Sequence, residues 1–439
     1  MMKKWKRALL AGLAACAALT VTASASNFDS TADTLKAMGL FAGTGAGYEL
    51  DRAPTRAEAA TMLVRLLGKA EEAESQWAAG SGSFAFRDME NYTWAKPYVH
   101  WLSQQGLAAG TSKTQFSPSA PCTAQMYAAF LMRALGYYES KGDFAFADAV
   151  SFAREHGVLN DANCDTAAFL RDHVVAASYT ALSAKPKTGG DDLLSKLVEE
   201  GAVDASAASA ERQKFALYRS YAGTVGQTAD GAALENVTSL SVSGGLSLEV
   251  AAVSKTRIGG GKMSSESTLT MTVPGEDPFV LERTGYFADG RLYTEENGVK
   301  STETAALDTV LNGLSQPEAV PLVLLSELRA TSTGYQLVYS EAGRQEYLSQ
   351  LWVLESALGG SALGLKGLTI GELTAEIRAE RGKLSSLSSG VTLTGTMNNL
   401  STGAPVEVTV RAQQNSKVTE TGDKVTVTAP RDLASYPAS

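Results

Sequence analysis

Arg56-Ala-Glu-Ala-Ala-Thr-Met-Leu-Val-Arg-Leu-Leu-Gly68 has a counterpart 68 residues further on, Ala124-Gln-Met-Tyr-Ala-Ala-Phe-Leu-Met-Arg-Ala-Leu-Gly136. Ala59, Met62, Leu63, Leu66 and Leu67 fall on Tyr127, Phe130, Leu131, Ala134 and Leu135. The spacing i, i+3, i+4, i+7, i+8 is one face of a helix. Arg65 falls on Arg133, and Gly68 on Gly136, where a C-cap would end each helix. An offset of 115 adds a third, weaker copy with Val174, Ala177, Ser178, Ala181 and Leu182 on the face and Arg171 at the position of Arg56. A fold built from internal repeats follows.

A further helix is expected before each of these. In the second copy Trp94, Tyr98, Trp101 and Leu102 give its apolar stripe, and Pro97 suits a first turn that needs no amide donor. The glycine-rich stretches Gly39-Leu-Phe-Ala-Gly43-Thr44, Gly106-Leu-Ala-Ala-Gly110-Thr111 and Gly157-Val-Leu then lead towards the second helix. Thr55 and Thr123, after Pro54 and Pro121, are natural N-caps, and Thr55-Arg-Ala-Glu58 matches a capping box. The repeats are placed at about 28–70, 84–138 and 143–203.

Pro54-Thr-Arg-Ala-Glu-Ala59 with Met62-Leu63 resembles the TRAE segment of S-layer homology (SLH) repeats. Phe86-Arg-Asp88, Trp94-Ala-Lys-Pro-Tyr98, Gly106-Leu, Gly110-Thr111 and Phe116-Ser-Pro118 resemble the rest of that motif. The resemblance covers roughly residues 28 to 203. It implies an all-α pseudo-trimer of three repeats that binds secondary cell-wall polysaccharide, often pyruvylated, in grooves between repeats. It implies a non-catalytic anchor at the wall or surface of a Gram-positive-type bacterium. A pyruvyl ketal offers a carboxylate, and a guanidinium at a helix N-terminus suits one. The polysaccharide-binding residues so implied are Thr55, Arg56, Asp88 and, by alignment, Arg171. The second copy reads Cys122-Thr-Ala-Gln125 and has no arginine there, so one groove is expected to be weak.

The chain has 439 residues and a formal charge of -9. Residues 1–25 read as a signal peptide: Lys3, Lys4, Lys6 and Arg7, an apolar run from Ala8 to about Val21, then Ala23-Ser-Ala25. Leu13-Ala-Ala-Cys16 leaves a lipidated start open. Without that leader 34 basic residues face 47 acidic ones, a net -13 that disfavours nucleic acid. No later segment has the length and apolarity of a membrane span. Cys122 and Cys164 remain, as two thiols or one disulfide.

Beyond a helical linker at 204–225, residues 226–439 change character. Leu240, Val242, Leu246, Leu248 and Val250 alternate with small or polar residues, as does Ser267-Thr-Leu-Thr-Met-Thr-Val273. Asp289-Gly290 signals a hairpin, and Val391–Met397 with Val406–Val410 a late one across Gly403 and Pro405. Helical stretches at about 304–314 and 341–358, the second with Tyr347, Leu351, Leu354 and Leu358 on one face, interrupt the strands. An α+β domain with a large antiparallel, half-barrel-like sheet is expected. Tyr286-Phe-Ala-Asp-Gly-Arg-Leu-Tyr293 with Gly298-Val-Lys300 resembles segments of LolA/LppX-type lipoprotein carriers, which implies as the alternative function a lipid or lipoprotein carrier with a hydrophobic ligand here. His100, His156 and His173 lack metal-ligand spacing, and no catalytic or cofactor motif stands out.

Overall fold

The computed structural model describes residues 28–80, 82–244, 247–312, 317–348, 366–398 and 404–437. The leader with Cys16 and its cleavage site, and Leu246, Leu351, Leu354, Leu358 and Gly403, lie outside these residues. The stretch quoted first is helix α2, Arg56–Leu66, preceded by α1, Asp29–Ala37. Thr55 stays extended, its hydroxyl accepts the Glu58 amide at 3.2 Å, and the Glu58 carboxylate accepts the Thr55 amide at 2.8 Å. Two otherwise open amides are thereby satisfied. Gly68, at φ 65°, turns the chain out of the helix, and a Cβ there would lie 2.6 Å from the Ala202 carbonyl.

After α3, Ala70–Ala78, the pattern repeats as α4, Lys96–Gln104, with α5, Ala124–Ala134, and as α6, Ala149–Glu155, with α7, Arg171–Ser183. The apolar faces of α2, α5 and α7 are buried throughout, apart from Ala134, which is half-buried. Each of these three helices packs on both others, so the copies close into a ring. The first helices are exchanged cyclically. Helix α4 of the second copy packs on α2 of the first, α6 of the third on α5 of the second, and α1 of the first on α7 of the third. Helix α3 packs on α4, where Trp101 Nε1 donates to Glu72 at 3.0 Å. Cys122 and Cys164 are buried free thiols.

One expectation is corrected at Trp94. Pro97 lies in the first turn of α4, which begins at Lys96, and a single 3-10 turn, Thr93–Ala95, precedes it. That turn leaves the Trp94 ring 49% exposed instead of in the apolar stripe.

Helices α8, Leu193–Glu199, and α9, Ala205–Val225, lead into the strands. Asp192 and Asp204 cap them by accepting backbone amides. The strands are β1 Gly231–Gly244, β2 Leu248–Gly259, β3 Lys262–Thr272, β4 Phe279–Ala288, β5 Arg291–Glu296, β6 Val299–Thr304, β7 Leu325–Thr331, β8 Gly334–Tyr339, β9 Lys366–Ile370, β10 Thr374–Glu380, β11 Lys383–Asn398 and β12 Pro405–Thr421. They form one open antiparallel sheet of twelve, ordered β6-β5-β4-β3-β2-β1-β12-β11-β10-β8-β7, with β9 beside β11. The arrangement is half-barrel-like, and the whole is an all-α repeat module followed by an α+β part. Leu240 faces Val250 and Val242 faces Leu248 across β1 and β2, as the period of two requires. Asp289 and Gly290, at φ 52° and 75°, make the tight hairpin between β4 and β5. Helix α10, Leu307–Asn312, and a helical segment at 341–348 stand where helices were expected.

Helix α9 belongs to both halves. Phe215 lies in the core of the repeat helices together with Leu322, Val323, Leu324 and Ala342, while Tyr221 and Val225 pack with Leu234, Leu328, Leu337 and Ile377 of the sheet. Lys214 Nζ donates to the Tyr179 hydroxyl at 3.0 Å and to the Leu325 carbonyl at 2.6 Å. Among the described residues no helix is long and apolar enough to cross a membrane.

Candidate functional site

The ring has junctions between successive copies, and two of them are built alike. At the first–second junction the amides of Arg56 and Ala57 donate to the carbonyls of Ala120 and Pro118, at 2.9 and 3.1 Å. At the third–first junction the amides of Arg171 and Asp172 donate to Arg52 and Leu50, at 2.9 and 3.0 Å. Residues 50 and 52 stand 68 positions before 118 and 120, so the same loop position receives each helix start. Glu49 and Ser117, also 68 apart, both adopt a left-handed backbone, at φ 49° and 57°.

The side chains follow the same plan. Arg56 is 4% exposed, and its Nε donates to the Phe116 carbonyl at 2.9 Å. Its Nη2 donates to the Ala109 carbonyl at 3.1 Å, and its guanidinium carbon lies 4.8 Å from the centre of the Phe116 ring. Arg171 is 2% exposed, and its Nε donates to the carbonyl of Tyr48, the counterpart of Phe116, at 3.0 Å. Burial pulls both guanidinium pKa values down; Cys122 and Asp88 oppose this at Arg56, and Glu58 does so at Arg171. A buried cation at a helix start is a site that favours an anion.

Thr55 supplies the cap just described. Asp88 reaches the first–second junction from the segment before α4. Its two oxygens accept the amides of Phe116 at 2.9 Å and Ser117 at 2.7 Å, fixing the loop whose carbonyl holds Arg56. Thus Thr55, Arg56 and Asp88 meet at one junction, and Arg171 stands at another. The second copy presents Ala124 and Gln125 in place of a guanidinium, and Gln125 donates to the Phe146 carbonyl. Trp94 stands exposed in the turn that packs on α2, with Tyr92 at 6.4 Å between ring centres.

Asp172 is an unforeseen member of the set. It is 6% exposed and accepts the Phe28 amide at 3.0 Å. Burial raises its pKa to about 7 against the pull of that amide. The signal available in the sequence was an acid at the second position of a helix whose counterpart is Ala57. Burial also raises the Cys122 thiol to about 12 and Cys164 to about 11, so neither is a nucleophile near neutral pH.

In the C-terminal part, Tyr221, Val320, Leu337, Tyr339, Ile377 and Gln414 line a cavity of about 160 Å³. A second hollow, over Leu240, Val250, Thr270 and Arg411 of the sheet, measures about 350 Å³; small-molecule sites typically measure roughly 300–1,000 Å³.

The family model for the S-layer homology domain matches residues 85–123, from before α4 to the cap of α5. The chain carries an S-layer homology domain. A cell surface protein of Thermoanaerobacter kivui is 28% identical over 153 residues, 34% of this chain and 20% of that protein. A middle cell wall protein of Brevibacillus brevis is 33% identical over 115 residues, 26% of this chain and 10% of that one. An endoglucanase of a Bacillus species is 36% identical over 73 residues, 17% of this chain and 8% of that enzyme. The chain therefore spans a fifth or less of the length of these relatives. The SLH domain itself is non-catalytic. In the solved structures, LprF from Mycobacterium bovis aligns with 49% of this chain and 95% of its own, at 10% identity and a TM-score of 0.19.

Proposed function

We propose that this protein is exported and held non-covalently at the bacterial cell surface by its three-copy ring, which binds a wall polysaccharide bearing acidic, pyruvate-type substituents. Anchoring at the surface is the shared property of SLH proteins, and the named relatives include a cell surface and a cell wall protein. The observation that carries the finer reading is the pair of equivalent junctions, each placing a buried guanidinium at the first residue of an inner helix. A guanidinium beside helix amides receives a carboxylate with charge-assisted hydrogen bonds. The exposed Trp94 ring, next to α2, offers a flat apolar face of the kind that sugars stack on. Thr55 acts by fixing the start of α2, and Asp88 by holding the loop around Arg56. The sheet is the displayed part, and the protein is not an enzyme in this reading.

Arg56→Ala tests the proposal. Losing a charge-assisted contact should weaken retention on purified cell walls by about tenfold or more. Wall binding that is unchanged in a folded variant rejects it.

A further inference from the structure

The two guanidinium junctions look alike in backbone and differ in charge. At the third–first junction Arg171 Nη1 lies 3.6 Å from Glu58, with side chains 3% and 16% exposed. Arg52 reaches Glu58 at 2.5 Å and Glu49 at 3.2 Å, so two cations meet two carboxylates. Glu58 cannot leave, because Thr55 holds it by both amide and hydroxyl. Its pKa records this. Burial pushes it up, but Arg52, Thr55 and Arg171 together outweigh burial and hold it at about 2.

At the first–second junction the counterparts of Glu49, Arg52 and Glu58, each 68 positions on, are Ser117, Ala120 and Met126. Met126, at the sequence position of Glu58, has its Sδ 3.3 Å from Arg56 Nη1; Arg171 Nη1 also meets a methionine sulfur, Met62 Sδ at 3.8 Å, and what it has in addition is the Glu58 carboxylate. Asp88, the acid on this side, has both oxygens on backbone amides, and among the described residues no carboxylate lies within ion-pair distance of Arg56. A thioether is a weak acceptor on an unbranched, flexible, half-buried side chain, so an incoming carboxylate displaces it readily.

From this replacement we infer that the two junctions have divided their roles: the first–second junction takes the anionic substituent, gated by Met126, and the third–first junction is neutralised from within by Glu58. This rests on the anchoring function proposed above and specifies which groove performs it. It predicts one acidic substituent bound per chain, and it makes the choice of Met or Glu at one helix position the determinant of an open or a closed groove.

The test uses the full mature chain and purified wall polysaccharide in native and pyruvate-stripped forms, read by titration calorimetry. Met126→Glu should lower affinity for the native form by at least about tenfold and leave the already weak binding of the pyruvate-stripped form unaltered. Glu58→Gln, which keeps acceptors for the Thr55 amide and hydroxyl, should raise the stoichiometry from one towards two. If Arg56→Ala loses binding but Met126→Glu does not, the division of roles is wrong and the anchoring site stands. If Arg56→Ala binds normally, the anchoring site itself is wrong. An unaltered chain that binds two substituents with equal affinity also overturns the division.

Discussion

Arg56 and Arg171 show what a residue-level reading can and cannot reach. Their alignment was visible in the repeat, and the structure places both at helix starts on equivalent loop carbonyls. The neutralisation of one and not the other was not visible, because Glu58 reaches Arg171 across 113 positions of chain. His100 lacks the spacing of a metal ligand, and the sequence says nothing more of its surroundings. The residue is 2% exposed, with Trp77 at 5.5 Å and Phe84 at 6.0 Å between ring centres and, among the described residues, no hydrogen-bond partner for either ring nitrogen. A helical period alone does not distinguish such a site from a wet one. Asp172 gives a prediction at this scale. Its folded pKa of about 7 exceeds the unfolded value near 4. Between these limits the folded chain holds a proton that the unfolded chain has lost, so stability falls as pH rises through this window. Asp172→Asn keeps an acceptor for the Phe28 amide and removes the charge. It should raise the melting temperature at pH 8 and have little effect at pH 4; equal shifts at both pH values would contradict this origin.

The elements that were legible share one property: their boundaries are set by local chemistry. Helix α2 starts at a capping box and ends at a left-handed glycine, and both signals lie within the quoted stretch and its flanks. Thr55→Ala removes the hydroxyl acceptor and should cost about 1 kcal/mol in urea unfolding. No measurable loss would mean that the loop contacts of Arg56 and Ala57 alone fix the helix start. Strands β4 and β5 were likewise legible from alternation around Asp289-Gly290. Trp94 was misplaced because Pro97 and a 3-10 turn shift the start of α4 without altering the apolar spacing that suggested a longer stripe.

At the scale of the molecule the sequence reaches the α-then-α+β order, and three copies imply a closed ring. The sheet order sets β1 directly beside β12, although all the other strands lie between them along the chain, and so depends on contacts nearly two hundred residues apart. The role of α9 is equally non-local. Its alanine-rich sequence gives little sign that Phe215 enters the repeat core, together with Leu322 and Val323 from 107 and 108 positions further along the chain. Phe215→Ala should therefore destabilise the protein by about 3–5 kcal/mol and lower the melting of the helical and sheet parts together. Loss confined to the sheet would contradict a shared core.

The ring's capacity to recognise an acidic sugar substituent remains the claim on which the function depends. The most direct measurement is the affinity of the unaltered, mature chain for purified wall polysaccharide before and after removal of its pyruvyl groups. A drop of about tenfold or more on stripping agrees with a guanidinium that receives a carboxylate. Equal affinity for both forms contradicts it.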